Sequence, residues 1–338
     1  MNITSSPPKQ VINLPAILEP IRLDMQELDH VIKLKLSSDV ALINQISQYL
    51  IEAGGKRIRP ALLFLISQAL SDGKTVAFRH EIAAVLEFIH TATLLHDDVV
   101  DESNLRRGRK TANAVFGNAA SVLVGDFLYS RAFQMMVVPG ELKIMEILSS
   151  ATNVIAEGEV LQLLNLNDPL VNEDKYFKVI LYKTAKLFEA SAELGAVLAK
   201  ASPAHTKAAA EFGQHIGVIF QLIDDWLDYA ASAVVMGKNT GDDLREGKPT
   251  LPLIYLLNHG TDRQKEMAAR AIEQIEDCDD DFYHAVLQEV NASGALDYTI
   301  SLAEDVAVKA RSCLAQFPDN PSTQSLYQLC DYSLSRSF

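Results

Sequence analysis

Apolar residues recur along this 338-residue chain at steps of three and four, the period of a helix with one buried face. From Asp39, DVALINQISQYLIEAGG carries Val40, Ile43, Ile46 and Leu50 in that pattern and stops at Gly54–Gly55. Pro60 opens the next apolar helix, at a position where proline is tolerated. The pattern predicts one long helix over about 76–102, another over 112–138 closed by Pro139–Gly140, and a third from 142 to about 167, before Pro169. NEDKYFKVILYKTAKLFEASAELGAVLAKAS reads as helix up to Ser202–Pro203. HTKAAAEFGQHIGVIFQLIDDWLDYAAS follows, then a glycine-containing loop, PTLPLIYLLN and weaker amphipathic helices. No stretch holds a period of two, so the expected fold class is all-α. The central helices are apolar on most faces, as in the interior of a large single-domain bundle. No solenoid-range repeat or internal linker interrupts it. Residues 1–35 are expected to form an N-terminal extension, a flexible tail, and 36–338 one domain.

Composition narrows the function classes. Hydrophobic residues make up 48% and charged residues 22%, enough for a packed core rather than disorder. The formal net charge of −14 argues against a nucleic-acid partner but leaves room for a local basic pocket. Three cysteines, Cys278, Cys313 and Cys330, are few, odd in number and lack metal-knuckle spacing. That usage fits a reducing compartment, so a cytoplasmic protein is expected. Prolines interrupt the apolar run that a signal peptide would need, and PALLFLISQAL falls short of the ~18–20 apolar residues of a membrane span.

The chemistry concentrates in one repeated motif. TLLHDDVVDESNLRRG places Asp97, Asp98 and Asp101 as DDxxD on an apolar helix, and FQLIDDWLDY repeats the spacing with Asp224, Asp225 and Asp228. The first and last aspartates of each copy are i,i+4 and share a helix face, where like charges repel. Leu94, Leu95, Val99 and Val100 flank the first copy, and Phe220, Leu222, Ile223, Trp226 and Leu227 the second. Carboxylates beside buried apolar surface are costly unless a cation satisfies them. One such motif alone reads as a solvated helix end. Two copies, facing each other across a bundle, make an oxygen-rich site for a hard cation. Mg2+ takes one or two carboxylates, with waters and substrate phosphates completing its shell.

Basic residues supply a phosphate-binding counterpart. Arg106 and Arg107 follow the first motif, GGKRIRP holds Lys56, Arg57 and Arg59, and Lys238 and Lys248 lie on the loop after the second motif. Guanidinium forks suit phosphate oxygens. Singly, each is an ordinary surface charge, and Arg57 and Lys110 are read that way. His90 and His96 lie on the first acidic helix, where periodicity alone makes them structural.

With GGKRIRP, LEFIHTATLLHDDVVDESNLRRG, GNAASVLVGDFLYSRAFQ, AEGEVLQL, KTAKLFEAS, FQLIDDWLDY and GKNTGDDLREGKPTLP in order between Gly54 and Pro252, the chain resembles the trans-polyprenyl diphosphate synthases. Its details are nearest the octaprenyl-forming members that serve quinone side chains. The resemblance implies the all-α isoprenoid synthase fold with a central substrate cavity, and a homodimer. It implies head-to-tail condensation of isopentenyl diphosphate with an allylic diphosphate such as farnesyl diphosphate, with three Mg2+ ions. Carried over by motif, Asp97, Asp101, Asp224 and Asp228 are metal ligands, with Asp98 and Asp225 acting through water or as supports. Arg106, Lys183, Thr184, Gln221 and Lys238 match positions around the allylic diphosphate. Lys56, Arg59, His90 and Arg107 match the isopentenyl diphosphate pocket. No side-chain nucleophile is required; Asp97, Asp101, Asp224, Lys183 and Lys238 carry the catalysis.

Chain length is expected to be set below the first motif. Ala92 and Thr93 lie roughly 6–7.5 Å deeper, at 1.5 Å per residue. Short-chain relatives carry bulky aromatics there, so small residues imply an open tunnel and a long product. Phe133, Met135 or Met136 are candidates for its floor, with core packing an equal reading for each. One departure is Val234, Val235 and Met236 in the loop after the second motif, apolar where relatives are polar and suited to packing on a partner or a membrane surface. Competing readings are a shorter-chain farnesyl or geranylgeranyl synthase, a class I terpene cyclase or head-to-head synthase, a non-catalytic partner subunit and an acidic metal buffer. The cyclases and head-to-head synthases lack GGKRxRP, partner subunits lose aspartates from one motif, and a buffer explains none of the basic clusters.

Overall fold

The computed structural model describes residues 13–106, 108–230, 241–274 and 278–335. The all-α expectation holds. Helix α1 (Leu14–Ile17) and a short 3₁₀ turn lead into α2 (Arg22–Leu36), α3 (Ala41–Ala53), α4 (Ile58–Leu70) and α5 (Arg79–Val100). Then come α6 (Ala112–Phe116), α7 (Asn118–Met136), α8 (Leu142–Asn165), α9 (Glu173–Val179), α10 (Lys186–Leu198) and α11 (Pro203–Ala230). Helices α12 (Asp242–Arg245), α13 (Leu251–His259), α14 (Asp262–Glu273), α15 (Asp280–Ala292), α16 (Ala295–Leu314) and α17 (Pro321–Ser335) follow among the described residues.

The predicted starts and stops fall close to the observed ones, with three differences. The 112–138 helix is two helices, because Gly117 takes φ +86° between α6 and α7. The chain also forms a two-residue antiparallel hairpin, Leu105–Arg106 with Arg109–Lys110, turning at Gly108 with φ +73°. Two-residue strands are too short to leave a period-two signal. Between α9 and α10, Ile180–Ala185 is a π-helical turn, whose wider winding no hydrophobic pattern announces.

A central group of helices is buried nearly all round. α4 has Ala61, Leu62, Leu63, Leu65 and Ile66 at 0% exposure, and α10 has Phe188, Ala192 and Leu194 likewise. α5 packs along α7, α4 along α10, α10 along α11, and α11 along α16. Gly195 and Gly213 permit the close approaches, since a Cβ on Gly195 would meet Leu63 O at 2.7 Å and one on Gly213 would meet Phe188 O at 2.4 Å. Residues 14–36, read from sequence as part of an extension, are helical, with Ile17, Ile21 and Leu28 fully buried. A second apolar cluster, around Tyr229, Leu244, Leu253, Ile272 and Val286, stabilises the segment after the second aspartate motif. Among the described residues, no helix is long and apolar enough to cross a membrane.

Candidate active site

The last turn of α5 and the last two turns of α11 bring the two aspartate motifs to one cavity of about 430 Å³. Of the residues singled out by sequence, Asp97, Asp101, Asp224, Arg106, Lys183, Thr184 and Gln221 line it. So do Lys56, Arg59, His90 and Thr93. Lys56 and Arg59 reach it because Gly54, at φ +63°, and Arg57, at φ +47°, turn the chain between α3 and α4. Lys56 Nζ lies 5.8 Å from the Tyr332 ring centre, and the Arg59 guanidinium 4.4 Å from that of Phe188. Arg57 pairs with Asp29 on α2 rather than standing as an isolated surface charge.

Within each motif the neighbouring aspartates divide their work. Asp98 is 4% exposed and accepts from Arg106 Nε at 2.9 Å and Nη2 at 2.7 Å. Asn113 Nδ2 donates to Asp98 O at 3.0 Å and to Ser103 O at 3.1 Å, tying α6 to the end of α5 and the turn that follows it. In the second motif Asp225 is 2% exposed and accepts from the Tyr176 hydroxyl at 2.5 Å and from Gln221 Nε2 at 2.7 Å. Gln221 in turn accepts from Thr184 Oγ1 at 2.9 Å, joining α11 to the π turn. The middle aspartates are thus structural anchors. Asp97, Asp101 and Asp224 line the cavity, and Asp225 borders it too, whereas Asp98 does not.

Asp228 departs from the sequence expectation. It does not line the cavity, and its two oxygens accept the backbone N–H groups of Asp242 and Asp243 at 3.2 Å each. It caps the first turn of α12, whose partial positive end suits a carboxylate. Asp243, on that helix, lines the cavity in its place. Ala92 is fully buried and does not line it, although the adjacent Thr93 does. Met135 and Met136 are buried in the main core at 3% and 1% exposure, away from the cavity wall. Phe133 is 45% exposed and does not line the cavity. Arg107, Lys238 and the apolar 234–236 segment lie outside the described residues.

Two lysines bridge the acidic walls. Lys183 Nζ stands 2.6 Å from Glu159 Oε2 and 3.5 Å from Asp97 Oδ2. Lys248 Nζ stands 3.3 Å from Asp101 Oδ2 and also pairs with Glu246. Sequence reasoning assigned no role to Glu159, Asp243, Tyr176 or Glu246. Glu159 lies inside the quoted AEGEVLQL and Asp243 inside GKNTGDDLREGKPTLP, but nothing in their spacing tells which acidic side chains turn inward. Burial dominates the electrostatics. It raises Asp97 and, against the opposing pull of Lys183, pushes Glu159 up to about 7. Burial and the neighbouring Asp243 push Asp225 and Asp228 each up to about 8. Burial alone would lower Lys248, but Asp243, Glu246 and Asp101 outweigh it and raise that ammonium.

A wall of carboxylates held above their ordinary range calls for positive charge. The donors are all oxygen, the chemistry that hard divalent cations select. Among the described residues no three His, Cys, Asp or Glu side chains converge to hold a metal unaided. The set fits an ion that draws its remaining ligands from a bound phosphate group and water. Lys56, Arg59, Lys183 and Lys248, spread around the same cavity, provide cationic donors for that phosphate group.

Known proteins carry the same architecture. A family model for polyprenyl synthetase matches residues 40–290. Octaprenyl diphosphate synthase of Escherichia coli is 50% identical over 325 residues, covering 96% of this chain and 99% of that protein. The Haemophilus influenzae octaprenyl diphosphate synthase is 46% identical over 318 residues, covering 93% and 94%. Among solved structures, a polyprenyl synthase from Caulobacter crescentus, complexed with calcium and isoprenyl diphosphate, superposes with a TM-score of 0.92. It is 42% identical, over 97% of this chain and 99% of that one. By sequence, fold and the paired aspartate motifs on one cavity, the chain belongs to the polyprenyl synthetase family, the prenyltransferases that make trans-polyprenyl diphosphates.

Proposed function

We propose that the chain condenses isopentenyl diphosphate head-to-tail with an allylic diphosphate, farnesyl diphosphate as primer, to yield octaprenyl diphosphate for a quinone side chain. The observation that carries this reading is the meeting of both aspartate motifs on one cavity, with Lys183 3.5 Å from Asp97 and Lys248 3.3 Å from Asp101. The two relatives of 50% and 46% identity, both named octaprenyl diphosphate synthases, support the product length.

Asp97, Asp101 and Asp224 are the ligands assigned to Mg2+, three ions in all, with Asp243 close by and Asp228 holding α12 in register. When bound with the substrate, the ions neutralise the charge that grows on the departing diphosphate. Lys183, Thr184, Gln221, Arg106 and Lys238 orient the allylic diphosphate. Lys56, Arg59, His90 and Arg107 hold isopentenyl diphosphate so that its double bond attacks the allylic carbon as the carbon–oxygen bond breaks. The proton then lost from the adduct goes to the released diphosphate. The apolar walls keep water from the carbocation.

The catalytic domain spans 36–338, with α1 and most of α2 packed on it. The working unit is a homodimer. Supporting this, α7 and α8 leave Leu123, Phe133, Leu142, Val160 and Leu164 at 45–81% exposure, the apolar surface of an interface. Phe133 belongs to that face rather than to a tunnel floor. The enzyme works in the cytoplasm and touches the membrane only to release its lipid product.

Incubating the purified chain with Mg2+, farnesyl diphosphate and labelled isopentenyl diphosphate tests the reading. Products ending near eight isoprene units are expected. A ladder ending at three or four units would overturn the long-chain assignment. No incorporation would favour a subunit dependent on a partner.

A further inference from the structure

Lys183 has two carboxylate neighbours, and the tighter one lies outside both aspartate motifs. Glu159 Oε2 is 2.6 Å from its Nζ, against 3.5 Å for Asp97 Oδ2. The three side chains are mostly enclosed, at 20% exposure for Lys183, 28% for Glu159 and 15% for Asp97. The contact depends on a close approach of two backbones. A Cβ on Gly158 would lie 2.6 Å from Lys183 N and 2.9 Å from Tyr182 C, so only glycine lets α8 meet the π turn here. The π turn sets Lys183 toward the cavity, and Gly158 sets the next residue, Glu159, against it. A pair within one helix needs no such arrangement. Lys186 and Glu189 make an equally short contact, 2.6 Å, from successive turns of one helix.

We infer that Glu159 is a positioning residue that holds the Lys183 ammonium off Asp97, leaving that carboxylate to a divalent cation while keeping the ammonium within reach of a diphosphate. The inference rests on the reading of Asp97 as a metal ligand. The physical argument is a competition for one cation. Two unit charges about 3.5 Å apart attract by several kcal/mol at an effective dielectric near 20, enough to decide which carboxylate the ammonium occupies. With Glu159 present, the nearer partner wins. Without it, Asp97 is the remaining partner of the pair, and the ammonium closes on the oxygens that the metal needs.

The test is a thermodynamic cycle read by binding rather than turnover. Mn2+ uptake in the presence of inorganic diphosphate is followed by electron paramagnetic resonance for the native chain, Glu159→Gln, Lys183→Ala and the double variant. Glu159→Gln is expected to weaken Mn2+ binding about tenfold, and the penalty to fall below about twofold in the Lys183→Ala background. Glu159→Asp, which keeps the charge on a shorter arm, is expected to fall between Glu159→Gln and the native chain, and serves alone should the glutamine variant not fold. Native-like Mn2+ binding in Glu159→Gln overturns the inference. So does a tenfold penalty that persists without Lys183, which would mark a direct or purely electrostatic effect. If the native chain takes up no Mn2+ with diphosphate, the metal-site reading itself falls, and this inference with it.

Discussion

Lys248 Nζ sits 3.3 Å from Asp101 Oδ2, linking the loop beyond α12 to the final residue of the first aspartate motif. The lysine and the aspartate are each about four-fifths enclosed, at 18% and 17% exposure. With no divalent cation bound, this ammonium balances Asp101, Glu246 and Asp243. Lys248→Met is therefore expected to destabilise the metal-free protein by about 2 kcal/mol or more, the cost of leaving enclosed carboxylates unbalanced. Mg2+ with diphosphate should recover much of that loss. Thermal melting with and without the ligands checks it, and an unchanged metal-free melting point would show that the ion pair contributes nothing.

Asp97 faces the cavity from the end of α5, whereas Asp98 is spent on Arg106. Asp97→Ala should lose at least about a thousandfold in turnover while the helical circular dichroism spectrum is kept. Asp98→Ala should instead lower stability by about 1–3 kcal/mol, since it removes the buried carboxylate that anchors Arg106 and the hairpin to α5. Near-native Mg2+-dependent turnover in Asp97→Ala would remove that residue from the metal site.

Thr93 and Ala92 are adjacent, but only Thr93 lines the cavity. Thr93→Phe is expected to shorten the product, with chromatographic sizing as the readout. Ala92 is fully buried, so Ala92→Phe should shorten the product only together with a stability loss of about 1–3 kcal/mol from overpacking. An unchanged product distribution in both variants would place the growing chain elsewhere.

Asp225 and Asp228 are each raised from an ordinary value of 3.8 to about 8, with burial as the leading cause, and Glu159 to about 7. A raised carboxyl binds its proton more tightly in the folded chain than in the unfolded one. Its contribution to stability is therefore complete below the unfolded value and is lost as pH climbs through the folded one. Between about pH 4 and about pH 8, the metal-free protein should lose stability, because these groups ionise in the unfolded chain while the folded chain still holds their protons. Mg2+ with diphosphate should stabilise it more at about pH 8 than at about pH 5. A metal-free melting curve that rises over that range would contradict the burial of these carboxylates.

The linear chain determined the helices, because burial on one face of a 3.6-residue period leaves its mark residue by residue, as in DVALINQISQYLIEAGG and both aspartate helices. It also determined the chemistry. Two DDxxD motifs, GGKRIRP and KTAKLFEAS name a diphosphate-handling family through local residue types, and Asp97, Asp224, Lys183, Thr184 and Gln221 all reach the cavity. Local order cannot say which of several adjacent carboxylates turns inward. That choice is made by partners outside each motif: Tyr176 takes Asp225, the backbone of α12 takes Asp228, and Arg106 takes Asp98. Glu159 and Asp243 enter the site only because α8 and α12 pack where they do. Helix packing set those places, the first through a glycine that lets two backbones approach, the second through a carboxylate that caps a helix.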